Sequence, residues 1–253
     1  MRLLNTWTLE LVEFPGDYEG LYAILSHTWE KDEITFQDML KASDGNNTDE
    51  AKLIKAKAGY VKICEAAKVA AECQLRHIWV DTCCIDKTSS AELSEAINSM
   101  FRWYKKARVC IVYLADVAGL SGDETEFRNS KWFKRGWTLQ ELIAPGSLHF
   151  YCKDWKYLTH KSSIAEELSV ITGINQDILL SQTADQDLSS ICIARRMSWA
   201  SKRSTTRPED MAYCLMGLFD INMPLLYGEG DKAFQRLQEE IAKRSDDQTL
   251  FAW

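Results

Sequence analysis

The sequence lacks any run of about 18 apolar residues, so no membrane-spanning helix is expected. Its first residues, MRLLNTWTLELVEF, hold neither an uninterrupted apolar stretch nor a small-residue cleavage site. No secretory signal is therefore expected, and the cytoplasm is the expected compartment. There is no C-x-x-C pair among the eight cysteines. Cys83 and Cys84 are adjacent, which suits neither an ordinary disulfide nor paired zinc ligands, and reduced thiols are the expectation. His27, His77, His149 and His160 form no i,i+4 pair, so no metal site is expected. No glycine-rich phosphate loop of the P-loop or dinucleotide type is present, and no cofactor is expected. A net charge of −7 without a long basic run argues against a nucleic-acid partner.

What is present is material for a large core. The 253 residues are 46% apolar and 11% aromatic, with nine tryptophans, which fits one large domain or a domain with an appendage. Residues 6–14 alternate as a strand does. The short apolar runs 21–26, 77–81, 109–115 and 147–151 read as buried strands. Between them, 51–74 carries helical periodicity with Ile63, Ala67, Ala70 and Ala71 on one side. A second helix follows Ser89 or Ser90, with Leu93, Ile97, Met100, Phe101 and Tyr104 as its apolar face. The stretches 42–50 and 116–130 read as loops, and 131–145 as a helix ending at Pro145. Strands alternating with helices predict a mostly parallel α/β sheet with helices on both faces. Beyond about residue 160 the pattern is helical, over 161–172, 188–201, 208–219 and 229–244. The expected division is an α/β sheet domain, 1–160, and a helical C-terminal part, 161–253, packed on it.

Ligands of such sheets gather beyond the C-terminal ends of the strands. That points to Ser26, His27 and Trp29 after one strand and to Asp81 after another. Each has a plainer reading: His27 satisfied by backbone in a turn, Asp81 as a cap. Cys83 or Cys84 could act as a nucleophile only with a base that folding brings in; buried structural thiols are the default. The basic segment 195–207, with Arg195, Arg196, Lys202, Arg203 and Arg207, could hold an anion, but a solvated helix face is favoured. Glu141 lies four residues after Trp137, so on a helix the two share a face, and the carboxylate can approach the strand ends.

Five segments, YAILSHTW (22–29), WVDTCCIDK (79–87), SEAINSMFRWY (94–104), WFKRGWTLQELIAP (132–145) and EDMAYCLMGLFDINMPLLYGEG (209–230), resemble the fungal heterokaryon-incompatibility (HET) domain in order and over nearly the whole chain. The resemblance implies a cell-death effector of fungal non-self recognition. It also implies a position at the N-terminus of a longer protein, with regulatory domains beyond residue 253. SKWF…WTLQEL (130–142) is further similar to a helix of TIR domains, a flavodoxin-like fold, with Phe133 where that pattern has cysteine. Enzymatic TIR domains cleave NAD+ at the nicotinamide–ribose bond with a glutamate on that helix. The similarity thus implies Glu141 as the catalytic carboxylate and NAD+ or a related nucleotide as substrate. Ser26, His27, Trp29, Asp81 and Trp137 are then its surroundings, and the active form a homo-oligomer. Some TIR domains only assemble and recruit partners, which is the alternative reading.

Overall fold

The computed structural model describes residues 1–43, 48–119, 124–181 and 188–252. The chain opens with β1 (Arg2–Asn5) and β2 (Leu11–Glu13), an antiparallel pair. The alternation over 6–14 predicts a strand, yet 6–10 is the connection between two. Asn5 accounts for the break. Its Oδ1 accepts from the Trp7 and Thr8 amides at 2.9 and 3.1 Å, a local turn that competes with strand extension. β3 (Ala23–His27) is buried along its whole length. Then come α1 (Phe36–Ser43), α2 (Asp49–Lys55) and α3 (Ala58–Glu72). Part of the loop expected over 42–50, residues 44–47, lies outside the described residues; its described flanks are helical at Ser43 and from Asp49 on. The single helix expected over 51–74 is broken between α2 and α3. Gly59, just past the break, rests on the Asp32 carbonyl, where an added Cβ would sit 2.3 Å from the oxygen. Ile63, Ala67 and Ala70 are buried on α3 as their spacing predicts.

β4 (His77–Trp79) leads to α4 (Ser90–Lys106), whose cap Ser89 accepts from the Glu92 amide at 3.3 Å. β5 (Val109–Tyr113) follows. The stretch expected to be loop, 116–130, contains α5 (Glu124–Asn129), with 120–123 outside the described residues. The helix expected over 131–145 is two pieces, a 3₁₀ turn at Lys131–Lys134 and α6 (Thr138–Ile143). Between them Arg135 bridges to Ser204. β6 (Leu148–Tyr151) is followed by β7 (Tyr157–His160), a short antiparallel strand that periodicity does not reveal. The C-terminal part is helical, in shorter pieces than expected: α7 (Ala165–Thr172), α8 (Gln176–Leu180), α9 (Ile193–Ser198), α10 (Asp210–Tyr213) and α11 (Lys232–Arg244). No helix among the described residues is long and apolar enough to cross a membrane.

The described strands form one sheet in the order β2-β1-β4-β3-β5-β6-β7. Its four central strands run parallel, and both edges are closed by antiparallel neighbours. Among the parallel strands the order is that of the first four in a flavodoxin-like 2-1-3-4-5 sheet. The chain leaves β3 for β4 on one side and returns to β5 on the other. Such a reversal opens a crevice at the C-terminal ends of the strands. β3 also carries the core: Ala23, Ile24 and Leu25 are sealed from solvent, and Tyr104 of α4 donates to the Leu25 carbonyl at 2.9 Å.

Candidate functional site

The crevice is a cavity of about 960 Å³. The turns after β3 (His27, Trp29), β4 (Asp81, Lys87) and β5 (Ala115, Asp116) line it, with Trp137 and Glu141 from the α6 region. Glu141 is 7% exposed, and its carboxyl accepts a very short hydrogen bond from Ser26 Oγ, 115 residues away in sequence. Ser26 is held in turn by the Trp132 indole N–H, 2.8 Å from Oγ. Burial pushes the Glu141 carboxyl up to about 8; the negative Asp81 adds to the shift, while the Ser26 hydrogen bond and the charge of Arg135 oppose it.

Asp81 is in the opposite state. Burial disfavours its charge, but hydrogen bonds from His27 and Trp29 and the nearby charge of Lys87 outweigh it and hold the carboxylate well below the usual range. His27 Nε2 lies 3.0 Å from Asp81 Oδ1, and Trp29 Nε1 donates to Oδ2 at 2.8 Å. His27 is thus paired through Nε2 with a side chain and not with backbone, while its buried Nδ1 has no hydrogen-bond partner among the described residues. Its Nδ1 faces Glu33 at 3.9 Å, and Glu33 is paired with buried Lys62. Among the acids of the cavity, Asp81 is thus fixed in the ionised form and Glu141 is kept neutral near pH 7, a division that assigns different chemistry to the two.

Ser26, His27, Trp29, Asp81, Trp137 and Glu141 are all brought to this crevice, five of them lining it and Ser26 beneath as the clamp on Glu141. Trp137 stands at the start of α6, half-buried, and lines the cavity together with Asp210. Trp137 and Glu141 face the same cavity although the long helix is broken. Cys83 is buried, and its thiol is pushed well above its ordinary value by a hydrogen bond with Cys84 and by burial. A buried thiol that resists ionisation is a poor nucleophile. All eight cysteines are free.

Arg195, Lys202 and Arg207 of the basic segment are exposed, as a solvated face requires, and the other two depart from it. Arg196 and Arg203 are buried. Arg203 Nη1 donates to the Arg135 carbonyl and to Thr138 Oγ1, both at 2.9 Å. Ser204 exchanges backbone hydrogen bonds of 2.8 Å with Lys134 and Gly136. This segment builds the corner between the 3₁₀ turn and α6, and so sets where Glu141 points. Arg207, named in the basic segment as a possible anion holder, also lines the cavity, and further cavity residues escaped the sequence reading: Lys87, Lys131, Lys134, Arg135, Asp210 and Tyr227. Arg207 and Asp210 meet Tyr227, whose hydroxyl donates to Asp210 at 3.0 Å while the Arg207 guanidinium lies 4.5 Å from its ring. The buried carboxylate of Glu209 gathers the Gly228 and Gly230 amides at 2.8 and 3.0 Å, fixing the loop that carries Tyr227. Gly228 and Gly230 have positive φ values of 105° and 60°, the conformation that favours glycine. The one signal for these residues was the EDMAYC…YGEG segment taken as a unit.

Residues 22–126 match the family described as "Heterokaryon incompatibility protein (HET)", and residues 232–253 match "Domain of unknown function (DUF8212)". The chain is similar to "Vegetative incompatibility protein HET-E-1" of Podospora anserina, with 44% identity over 232 residues. That alignment covers 88% of this chain but 16% of the length of that protein. No solved structure matches.

Proposed function

The chain belongs to the heterokaryon incompatibility (HET) family, and we propose that it is the effector part of an incompatibility response, killing the cell by hydrolysing NAD+ at the nicotinamide–ribose bond. The observation that carries the reading is Glu141: a buried carboxyl, clamped by Ser26, on the wall of a cavity at the C-terminal ends of parallel strands. In this reaction the bond between ribose C1 and the nicotinamide nitrogen breaks, and its electron pair leaves with the ring, which becomes neutral. Water adds to C1 and loses a proton. The leaving group is already cationic and needs no general acid. What the transition state asks for is negative charge beside an oxocarbenium-like ribose, which an ionised Glu141 supplies. The Trp29 and Trp137 indoles offer flat walls for a ring.

The reading sets a pH dependence. With its pKa at about 8, Glu141 is ionised in about a tenth of free molecules at pH 7. A cationic nicotinamide ring beside it favours the charged form, so substrate binding releases a proton. Activation by homo-oligomerisation and control by fused domains belong to the same proposal, as does a TIR-like descent of the sheet.

The test is nicotinamide release by purified protein, free and artificially clustered, for the wild type and Glu141→Gln. Wild-type release with a loss on the order of 10²–10³ in the variant supports the assignment. A variant as active as the wild type removes Glu141 from the mechanism. A wild type silent even when clustered removes the hydrolase reading in favour of an assembly module.

A further inference from the structure

We infer that the mouth of this cavity is a cradle for a diphosphate, so that the ligand class is a diphosphate-bridged nucleotide and not a nucleoside; the inference rests on the nucleotide reading above. The chain as a whole carries a net charge of −7, yet five cations line this one cavity: Lys87, Lys131, Lys134, Arg135 and Arg207. Among the described residues none of the five is in an ion pair. The cavity's acids are differently placed. Asp81 is committed to His27 and Trp29, Asp116 to the Ser130 hydroxyl and the Lys131 amide, and Asp210 to Tyr227. Glu141 is clamped by Ser26, and Glu30 is the one lining acid whose carboxylate has no side-chain hydrogen bond among the described residues. The oxygens of Asp81, Asp116, Asp210 and Glu141 are thus engaged within the protein, while Lys87, Lys131, Lys134 and Arg207 are exposed.

Two of the cations are pre-organised. Lys87 Nζ lies 3.8 Å from the centre of the Trp29 ring and Arg135 Cζ lies 5.3 Å from it. Trp29 itself is pinned by its N–H to Asp81. An ammonium and a guanidinium held over one fixed indole present donors to neighbouring anionic oxygens with little ordering left to do. A single carboxylate would leave several cations unmatched, and two linked phosphates match them better. A ligand anchored there has its remaining parts inside the cavity that Glu141 lines.

The experiment is calorimetric titration of the purified protein with ADP-ribose, inorganic pyrophosphate and adenosine. These probes report binding without turnover. ADP-ribose is expected to bind at least about ten-fold tighter than adenosine, and pyrophosphate binding to weaken as salt is raised. In a Lys87→Ala/Arg135→Ala double variant that advantage is expected to shrink at least about ten-fold with adenosine unchanged. Should that variant fail to fold, Lys87→Gln alone is expected to weaken ADP-ribose several-fold. Equal affinity for ADP-ribose and adenosine in the wild type, or a folded variant that keeps the full advantage, overturns the cradle. Its fate separates from that of NAD+ hydrolysis. Wild type that prefers ADP-ribose but releases no nicotinamide leaves the cradle standing without the hydrolase, whereas equal cleavage of NAD+ and nicotinamide riboside overturns the cradle alone.

Discussion

Replacing Glu141 by glutamine separates a buried neutral carboxyl from an ordinary helix charge, and it does so without reference to activity. In the unfolded chain the carboxyl ionises at the ordinary value of 4.5; in the folded protein burial raises this to about 8. Between those pH values the folded state holds a proton that the unfolded state has lost, so stability falls as pH rises. The contribution is fully present below pH 4.5 and is lost as pH climbs through 8. At about 1.4 kcal/mol per unit, the full window amounts to on the order of 4–5 kcal/mol, and about 3 kcal/mol of it is gone by pH 7. Glutamine has the same shape, accepts from Ser26 through its carbonyl, and does not titrate. The variant is therefore expected to match the wild type at pH 5, apart from an offset of about 1 kcal/mol, and to be the more stable protein at pH 8.5. For a chain of this size the gap at pH 8.5 corresponds to on the order of 10 °C in Tm. The assay is thermal and urea unfolding of both proteins at pH 5, 7 and 8.5 at fixed ionic strength. All other titrating groups are common to the two, so the difference isolates position 141. A difference that stays flat with pH, or a variant less stable at pH 8.5, refutes the argument.

If hydrolysis is observed, kcat/KM is expected to rise with pH along a limb whose midpoint lies near the Glu141 value of about 8, because only the ionised free enzyme is competent; a pH-rate profile flat from 6 to 9 would contradict this. Gly136→Ala places a methyl 2.5 Å from Thr205 Cγ2 and 3.2 Å from Cys214 Sγ. It is expected to cost about 1–3 kcal/mol, part of which Thr205→Ser restores by removing that methyl, as urea midpoints would show. Thiol titration of the native protein is expected to find Cys73 and Cys192, the two exposed cysteines, reacting fast, with Cys83, Cys84, Cys110, Cys152 and Cys214 protected. Denaturant without reductant is expected to release all eight, and a smaller number would contradict the free thiols seen here.

The parallel sheet was legible because its signal is local. AILSH, HIW, VCIVY and LHFY are short apolar runs between turn residues, and each is a buried strand. Strand-end reasoning then placed Ser26, His27, Trp29 and Asp81 on one edge, and the HET and TIR resemblance supplied Glu141. What stayed hidden depends on long-range contacts. Residues 131–145 carry helical periodicity, yet the corner at Arg135 is fixed by Arg203 and Ser204, nearly 70 residues later. Arg203 looks like a solvent charge in sequence, because only the fold reveals the carbonyl and hydroxyl that receive it. Lys87 and Arg135 were missed for the converse reason. They remain near solvent, as charged residues usually do, and only their convergence on one opening distinguishes them.

The same convergence bears on how the free protein keeps its site. Asp81 and Glu141 sit on one cavity, and both are opposed by burial. Asp81 stays ionised because His27, Trp29 and Lys87 surround it with donors and positive charge. Glu141 has one hydroxyl clamp, Ser26, and the more distant charge of Arg135, too little to offset its burial. A second ionised carboxylate there would repel Asp81 as well as lose water, so the proton on Glu141 is the cheaper arrangement until a cation arrives. On the proposed reading that cation is the substrate's own nicotinamide ring. The diphosphate, anchored at the mouth, would bring the ring to Glu141, and the ring would draw the carboxyl into its charged form. A nucleotide lacking the positive ring, such as ADP-ribose, would occupy the cradle and leave the proton where it is. Proton release measured in buffers of different ionisation enthalpy is thus expected with a non-hydrolysable NAD+ analogue that keeps the cationic ring, and not with ADP-ribose. Equal release by both would place the titrating group elsewhere than Glu141.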